Sequence, residues 1–369
     1  MKRVLILTSS RADFGIYLPL LKKMKASKSL EFSILAFGTH LSKFHGYTID
    51  QIKAQGFTVD YTISSLVLGD TEGDIANSYA LTAQKFADFW SLNTNNFDIV
   101  FVLGDRFEMA AAVAAGIPFN INFAHIHGGE TTLGAIDNIY RHSISLASKW
   151  HFVSLPEFKS RLESILDSKE NIYTVGALSL DNIKEIPLLS LDEFKSKWQI
   201  DLAQPTILIT VHPETVASTI NESYAQELYK TLSILANDYQ LVITMPNADT
   251  LGSLYRTQYD KLKKAFPSNV FLIENFGTQS YFTAMKYSTL MLGNTSSGIT
   301  EAASFQNYVV NVGDRQKGRI AGNNVTHVNF ESEAIIKSVK EIKDKTYQGK
   351  NIYHKVDAAD QIIQVVEKL

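Results

Sequence analysis

Short, nearly continuous apolar runs alternate along the chain with longer stretches in which apolar residues recur every three or four positions. RVLILTS (3–9), EFSILAF (31–37), DIVFVLG (98–104), FNINFAH (119–125), WHFVS (150–154) and NIYTV (171–175) have the character of strands buried on both faces. The stretches 13–26 and 74–94 between them have helical length and spacing. This is the βαβ rhythm of a parallel sheet. It restarts with TILITVH (206–212), QLVITMP (240–246), VFLIEN (270–275), TLMLGN (289–294) and YVVNVG (308–313). Two α/β halves are predicted, joined near 176–204, where LLSLDEFKSKWQIDLAQP reads as a polar, partly helical connector. The last stretch, DAADQIIQVVEKL, is amphipathic at helical spacing.

Composition narrows the function more than the fold. With 369 residues, 45% hydrophobic and 20% charged, the chain holds enough apolar surface for two cores. A net charge of −3 gives no basic excess to favour nucleic acid or an anionic membrane, so a small molecule is the expected partner. The absence of cysteine removes disulfides and thiolate metal sites. The opening MKRVLILTSSRADFG reaches charged residues too soon for a signal peptide, and no apolar run is long enough to span a bilayer; a cytoplasmic location is expected.

In open parallel sheets ligands sit beyond the carboxyl ends of the strands. The segments in those places are SSRADFG (9–15), GDRFE (104–108), HIHGGE (125–130), HPET (212–215), GNTSSG (293–298) and GDRQKGR (313–319). In GNTSSG, small and hydroxyl residues at a strand-to-helix turn suit a phosphate, with Ser296 and Ser297 as donors; a capped helix start without a ligand has the same composition. Glu301, a turn further on, suits ribose hydroxyls, or is an exposed glutamate near a helix start. No G-x-G-x-x-G follows the first strand, which removes the dinucleotide fingerprint. GDRQKGR has P-loop glycine spacing, but Arg319 stands where Lys-Ser/Thr must follow, so Arg315 and Arg319 either meet a phosphate or carboxylate or lie on a solvated loop.

Asp105, Glu130 and Asp137 follow strand ends or open a helix, so three carboxylates can converge for acid/base chemistry. Singly, Asp105 and Asp137 suit helix caps, and Glu130 suits an ion pair with Arg106 or Arg141. His125 and His127 would share a face of an extended strand, as a zinc site requires, but no third ligand pattern accompanies them. One is expected to be a core histidine and the other to face the ligand. His212, at a strand end in the second half, is placed to neutralise a phosphate leaving group.

TSSRADFGIYLPLL, GTHLS, LGDRFEMAAA, AHIHGGETTLGAIDNIYRHSIS, VGALSLDNI, HPET and GNTSSGITEAASF together resemble the hydrolysing UDP-N-acetylglucosamine 2-epimerase family, from the N-terminus to about residue 330. The resemblance implies an α/β glycosyltransferase-B type fold: two Rossmann-like domains, 1–178 and 179–354, a substrate cleft between them, and a C-terminal helix, 355–369, crossing back to the first. RADFG and GTHLS resemble the hydrolysing branch rather than the R-P-E-A-I-K and G-Q-H of non-hydrolysing relatives. Asn138 stands where many relatives have a second aspartate.

The implied chemistry removes the proton on carbon 2 while UDP leaves carbon 1, then adds water at carbon 1 and returns a proton to carbon 2 from the opposite face. Asp105, Glu130 and Asp137 would be the acid/base group. His212, Arg11, Asp13, Ser296, Ser297 and Arg315 would hold the nucleotide, Glu301 the ribose, and Asn247 and Phe276 would border the uridine. No cofactor or metal is required. A homo-oligomer, dimer or tetramer, is the family's habit. UDP-N-acetylglucosamine is the first substrate choice, giving N-acetylmannosamine for sialic-acid-type synthesis; a 4-acetamido-6-deoxy analogue, feeding legionaminic-type synthesis, is the alternative. A non-hydrolysing epimerase, a glycosyltransferase of the same fold and a non-catalytic UDP-sugar sensor remain as other readings.

Overall fold

The computed structural model describes residues 1–246 and 251–369 and divides them into two units. The first comprises residues 1–130, 137–185 and 355–369; the second comprises 131–136 and 186–354. The α/β reading with two Rossmann-like halves holds in both.

The first unit is built on a seven-stranded, wholly parallel sheet in the order β3-β2-β1-β4-β5-β6-β7. Its strands are β1 (Lys2–Thr8), β2 (Leu30–Phe37), β3 (Tyr61–Ile63), β4 (Ile99–Leu103), β5 (Phe123–Ile126), β6 (Trp150–Val153) and β7 (Ile172–Thr174). Register follows the apolar runs, with Ile6 opposite both Ile34 and Phe101. One face buries Leu5, Leu7, Leu35, Phe37, Val100 and Val102 with Phe86 and Trp90 of the helix Glu72–Asn93 and Met109, Ala112 and Val113 of the helix Phe107–Gly116. The alanines of that second helix let the first come close, and Trp90 Nε1 donates to Ala112 O at 3.0 Å. Each such large apolar side chain contributes about 1.5–3 kcal/mol by leaving water.

The second unit has a six-stranded parallel sheet, β10-β9-β8-β11-β12-β13. Its strands are β8 (Thr206–Thr210), β9 (Gln240–Thr244), β10 (Val270–Ile273), β11 (Leu290–Gly293), β12 (Val309–Val312) and β13 (Val325–Val328). In each sheet the chain winds outward from a central pair, β1/β4 and β8/β11, and the loops beyond the two strands of that pair diverge. That switch point is where a ligand can reach the strand ends.

Two edge strands, β3 and β13, carry no signal in the apolar pattern because they are short and without fully buried positions. FNINFAH is strand only from Phe123: residues Ile117–Phe119 form a 3₁₀ turn and Asn120 takes a left-handed conformation. The connector holds the helix Leu191–Trp198, opened by a capping box between Ser190 and Glu193. The helix Ala358–Lys368 belongs to the first unit, where Lys2 Nζ donates to Val366 O at 2.8 Å, Lys23 pairs with Asp360 at 2.8 Å, and the buried Asp181 carboxylate accepts from Ala359 N at 2.8 Å. Among the described residues no helix is long and apolar enough to cross a membrane.

Candidate functional site

In the first unit, the loop after β1 is shaped from within. Asp13 accepts from Ser9 N, Ser9 Oγ and Ser10 N at 2.7–3.1 Å, while Ser10 Oγ donates to its other oxygen at 2.9 Å and caps the helix Arg11–Ala26. The hydrogen bonds given to Asp13 are thus internal to the loop that carries Arg11, which is half-buried at the helix start. Thr39 donates from both N and Oγ1 to Ser9 O, at 2.9 and 3.0 Å. Gly38 precedes it at φ +57°, where a Cβ would lie 2.8 Å from the same oxygen, so only glycine fits. His40 lies between Thr8 Oγ1 at 2.9 Å and Thr48 Oγ1 at 2.8 Å; burial pushes its imidazole down to about 4, against the pull of Asp13.

Beyond β4 and β5 the charges meet. Arg141, from the helix Asp137–Leu146, donates to the Asp105 carboxylate through Nη2 and to His127 O through Nη1 at 2.7 Å, with Glu130 Oε2 at 3.7 Å. Glu130, 1% exposed, holds His127 Nδ1 at 2.8 Å and accepts from Ser154 Oγ at 3.2 Å. Asp105 and Glu130 are therefore brought together by one buried guanidinium, which offsets the cost of removing two carboxylates from water. Asp137 stands one turn before Arg141 on the same helix, half-buried at the end that favours negative charge. Arg106 Nε meets Glu108 at 2.6 Å, and burial pushes the Glu108 carboxyl up while Arg106 opposes the rise.

The two histidines separate. His125 is fully buried, with Nε2 donating to Gly104 O at 2.8 Å and Nδ1 beside Ser145 Oγ at 3.0 Å; burial drives its pKa well down. β5 ends at Ile126, and His127 turns off it at φ +67°. The shared strand face that would suit zinc does not form. The turn continues through Gly129, at φ +76°, where a Cβ would lie 2.4 Å from Phe158 O.

In the second unit a buried asparagine ties the loops together. Asn294 Oδ1 accepts from His212 N at 2.7 Å and its Nδ2 donates to His212 O at 2.8 Å, while Asn294 O accepts from Arg315 Nη1 at 3.3 Å and Gln316 Nε2 at 2.9 Å. The loops after β8, β11 and β12 are thereby one unit, with His212, Ser297 and Arg315 around it. Gly293, at φ +148°, approaches Thr210 so closely that a Cβ would lie 1.9 Å from its carbonyl oxygen. Glu214 Oε1 accepts from Asp314 N at 2.7 Å and so shapes the turn that carries Arg315; burial pushes the Glu214 carboxyl up, with the Asp314 bond opposing. Ser296 is exposed at the start of the short helix Ser296–Thr300, and Ser297 Oγ meets Tyr281 Oη at 2.6 Å. Glu301 is buried rather than exposed, at the end of that helix. Arg315 and Arg319 are half-buried, so their loop is not simply solvated; Arg319 Nη1 donates to Gln316 Oε1 at 3.0 Å. Phe276 packs its ring between Phe194 and Trp198, at 5.6 and 4.7 Å between centroids. Asn247 lies outside the described residues.

A model of the family described as UDP-N-acetylglucosamine 2-epimerase matches residues 22–367. The chain belongs to that family. Among curated relatives, a hydrolysing UDP-N,N'-diacetylbacillosamine 2-epimerase of Legionella pneumophila is 32% identical over 94% of this chain and 90% of its own. A hydrolysing GDP/UDP-N,N'-diacetylbacillosamine 2-epimerase of Campylobacter jejuni is 33% identical over 88% and 83%. The solved UDP-GlcNAc 2-epimerase of Neisseria meningitidis, bound to UDP-GlcNAc, matches the whole of both chains at TM-score 0.81 and 19% identity. The likeness in fold far exceeds the likeness in residues.

Within this epimerase family framework, sequence reasoning named the ends of both networks and left out their middles. Arg141 appeared only as a partner for Glu130, and its helical spacing from Asp137, four residues on, was the available signal. Asn294 stood inside GNTSSG without a role. Glu214 and Gln316 stood inside HPET and GDRQKGR without roles and Tyr281 carried no local signal, because each acts through a contact distant in sequence.

Proposed function

We propose that the protein is a hydrolysing UDP-sugar 2-epimerase, converting UDP-N-acetylglucosamine and water to UDP and N-acetylmannosamine. The observation that carries the reading is the buried network in which Glu130 contacts His127 and Ser154 and shares Arg141 with Asp105. Abstracting a proton from a sugar carbon needs a carboxylate kept out of water, and returning one to the opposite face needs a second, differently placed acid. Asp105, Glu130 and Asp137 supply that set. The carbon 2 to hydrogen bond and the carbon 1 to oxygen bond break, giving a 2-acetamidoglucal and UDP; water then adds its oxygen to carbon 1, and carbon 2 regains a proton from the other face. His212, Ser296, Ser297, Arg315 and Arg11 hold the diphosphate and neutralise the charge that develops as it leaves, and Glu301 takes the ribose.

A second substrate reading has its own support. The relatives at 32% and 33% identity are named for diacetylbacillosamine nucleotides. The same proton chemistry on UDP-2,4-diacetamido-2,4,6-trideoxyglucose would use the same residues.

Proton NMR in deuterated water tests both. Free UDP with a 2-deuterated N-acetylmannosamine is expected from UDP-N-acetylglucosamine. Turnover of the diacetamido sugar alone moves the substrate, and deuterated UDP-sugars without free UDP overturn hydrolysis. Glu130→Gln is expected to keep UDP binding and lower turnover by about 10²–10⁴-fold; near-normal turnover removes Glu130 from the mechanism.

A further inference from the structure

Behind Ser297 lies a line of hydroxyls that the reaction does not use directly. Thr244 Oγ1, at the end of β9, meets Thr210 Oγ1, at the end of β8, at 2.6 Å. The Tyr281 hydroxyl, from the helix Gly277–Tyr287, meets Ser297 Oγ at 2.6 Å, and Thr210 is its other side-chain hydroxyl neighbour. At the far end Thr244 Oγ1 also donates to Ile209 O, at a long 3.3 Å. Four hydroxyls thus follow one another from the sheet to the turn after β11, where Thr295 Oγ1 also lies 3.3 Å from Ser297 Oγ.

Each hydroxyl has one hydrogen, so the line has a polarity. Diphosphate oxygens only accept. If Ser297 gives its hydrogen to one of them, its 2.6 Å bond to Tyr281 survives only with Tyr281 as donor. Tyr281, its own hydrogen committed to Ser297, is then open to a hydrogen from Thr210, and Thr210 to one from Thr244, whose hydrogen leaves the long bond to Ile209 O. Only that weak bond is given up, and each donor polarises the next. Without an anion the same four groups can point the other way.

Resting on the reading of His212, Ser297 and Arg315 as the diphosphate subsite, we propose that Tyr281 is a positioning residue, which through the Thr244–Thr210–Tyr281 line turns the Ser297 hydroxyl outward as a donor to the diphosphate of the UDP-sugar. Tyr281 touches no reacting atom. Its effect is confined to phosphate, because uridine lacks the diphosphate to which Ser297 gives that hydrogen.

Calorimetric titration of the whole protein with UDP and with uridine tests this. Tyr281→Phe is expected to weaken UDP binding about tenfold and leave uridine binding unchanged. In a Ser297→Ala background the same change is expected to have no further effect, because Tyr281 acts only through that hydroxyl. Thr210→Val, which keeps the shape one link further back, is expected to weaken UDP in the same direction, and gives a second reading should Tyr281→Phe fold poorly. UDP affinity within twofold of wild type in Tyr281→Phe overturns the proposal. So does equal loss for UDP and uridine, or a loss that adds to that of Ser297→Ala, since either marks Tyr281 as packing. Failure of the wild-type protein to bind UDP sinks the subsite reading itself, and the proposal with it.

Discussion

At the carboxyl ends of β4 and β5 the first unit buries ions: Arg141 sits among Asp105, Glu130 and the His127 carbonyl. At the ends of β8, β11 and β12 the second unit links its loops largely through neutral groups, an asparagine side chain clasping His212 and hydroxyls leading to Ser297, with Arg315 donating to the carbonyl of the same asparagine. The strand order around the two switch points is the same. What differs is what each must tolerate. A group that gives and takes protons has to be ionisable, and a buried ion needs a counter-ion. On the proposed reading, a subsite for an anionic ligand needs donors and a cation such as Arg315, while the links that set its shape can be neutral.

Arg141→Met breaks the comparison most severely. It leaves Asp105 and Glu130 without their shared cation while filling much of the same volume. Removing one partner from a buried ionic network costs about 3–5 kcal/mol. Urea unfolding at pH 7 should show the loss as a shift in midpoint with an unchanged slope. A loss below about 1 kcal/mol would mean that water already screens the carboxylates as it does a surface pair.

Acid separates the units next. His40 and His151 are buried, and burial pushes both down to about 4; Asp13 opposes this for His40 and a backbone bond at Ser148 for His151. Unfolded, each titrates near 6.5, so between those values the unfolded chain binds protons that the folded unit refuses. Stability is whole above pH 6.5, falls as pH drops through the window, and the loss is complete below about 4, at up to about 1.4 kcal/mol per pH unit for each group. Burial also lowers His125 and His142, while in the second unit it lowers His327. Buried carboxyls held high act the other way, Glu108 and Asp181 in the first unit and Glu214 in the second. Hydrogen exchange at pH 7 and 4.5, corrected for intrinsic rates, should show protection falling mainly in the first unit. Equal loss in both would show that the histidines do not decide acid stability.

Sequence reading reached the parallel sheets and the loops that matter because both are local: apolar runs mark central strands, and glycine, hydroxyl and charged residues mark the turns beyond them. It did not reach β3 and β13, whose edge positions demand no apolar run. It placed Asp13 in the loop after β1 but carried no sign of the bonds its carboxylate accepts from Ser9 and Ser10, which shape that loop. The connections from Arg141 to Asp105, Asn294 to His212 and Tyr281 to Ser297 span 36, 82 and 16 residues. No periodicity reports such pairs; they exist only once the sheet has set the register.

The mildest change sharpens the contrast. Asn294→Asp keeps the shape of the clasp but replaces the Nδ2 donor with an oxygen that faces His212 O, so one good bond becomes a repulsion while the bond from His212 N survives. Losing one buried bond and burying one unsatisfied acceptor costs about 1–3 kcal/mol, below the cost predicted for Arg141→Met. The new carboxyl would also be desolvated and would therefore titrate above the usual aspartate range. Protonated, it donates to His212 O and restores the clasp, so the variant's deficit relative to wild type should shrink as pH falls. The test is the difference in unfolding free energy between variant and wild type at pH 7.5 and 5. A deficit that stays constant would mean that the carboxyl has turned out to water, and that the second unit's neutrality at this point is not required for its stability.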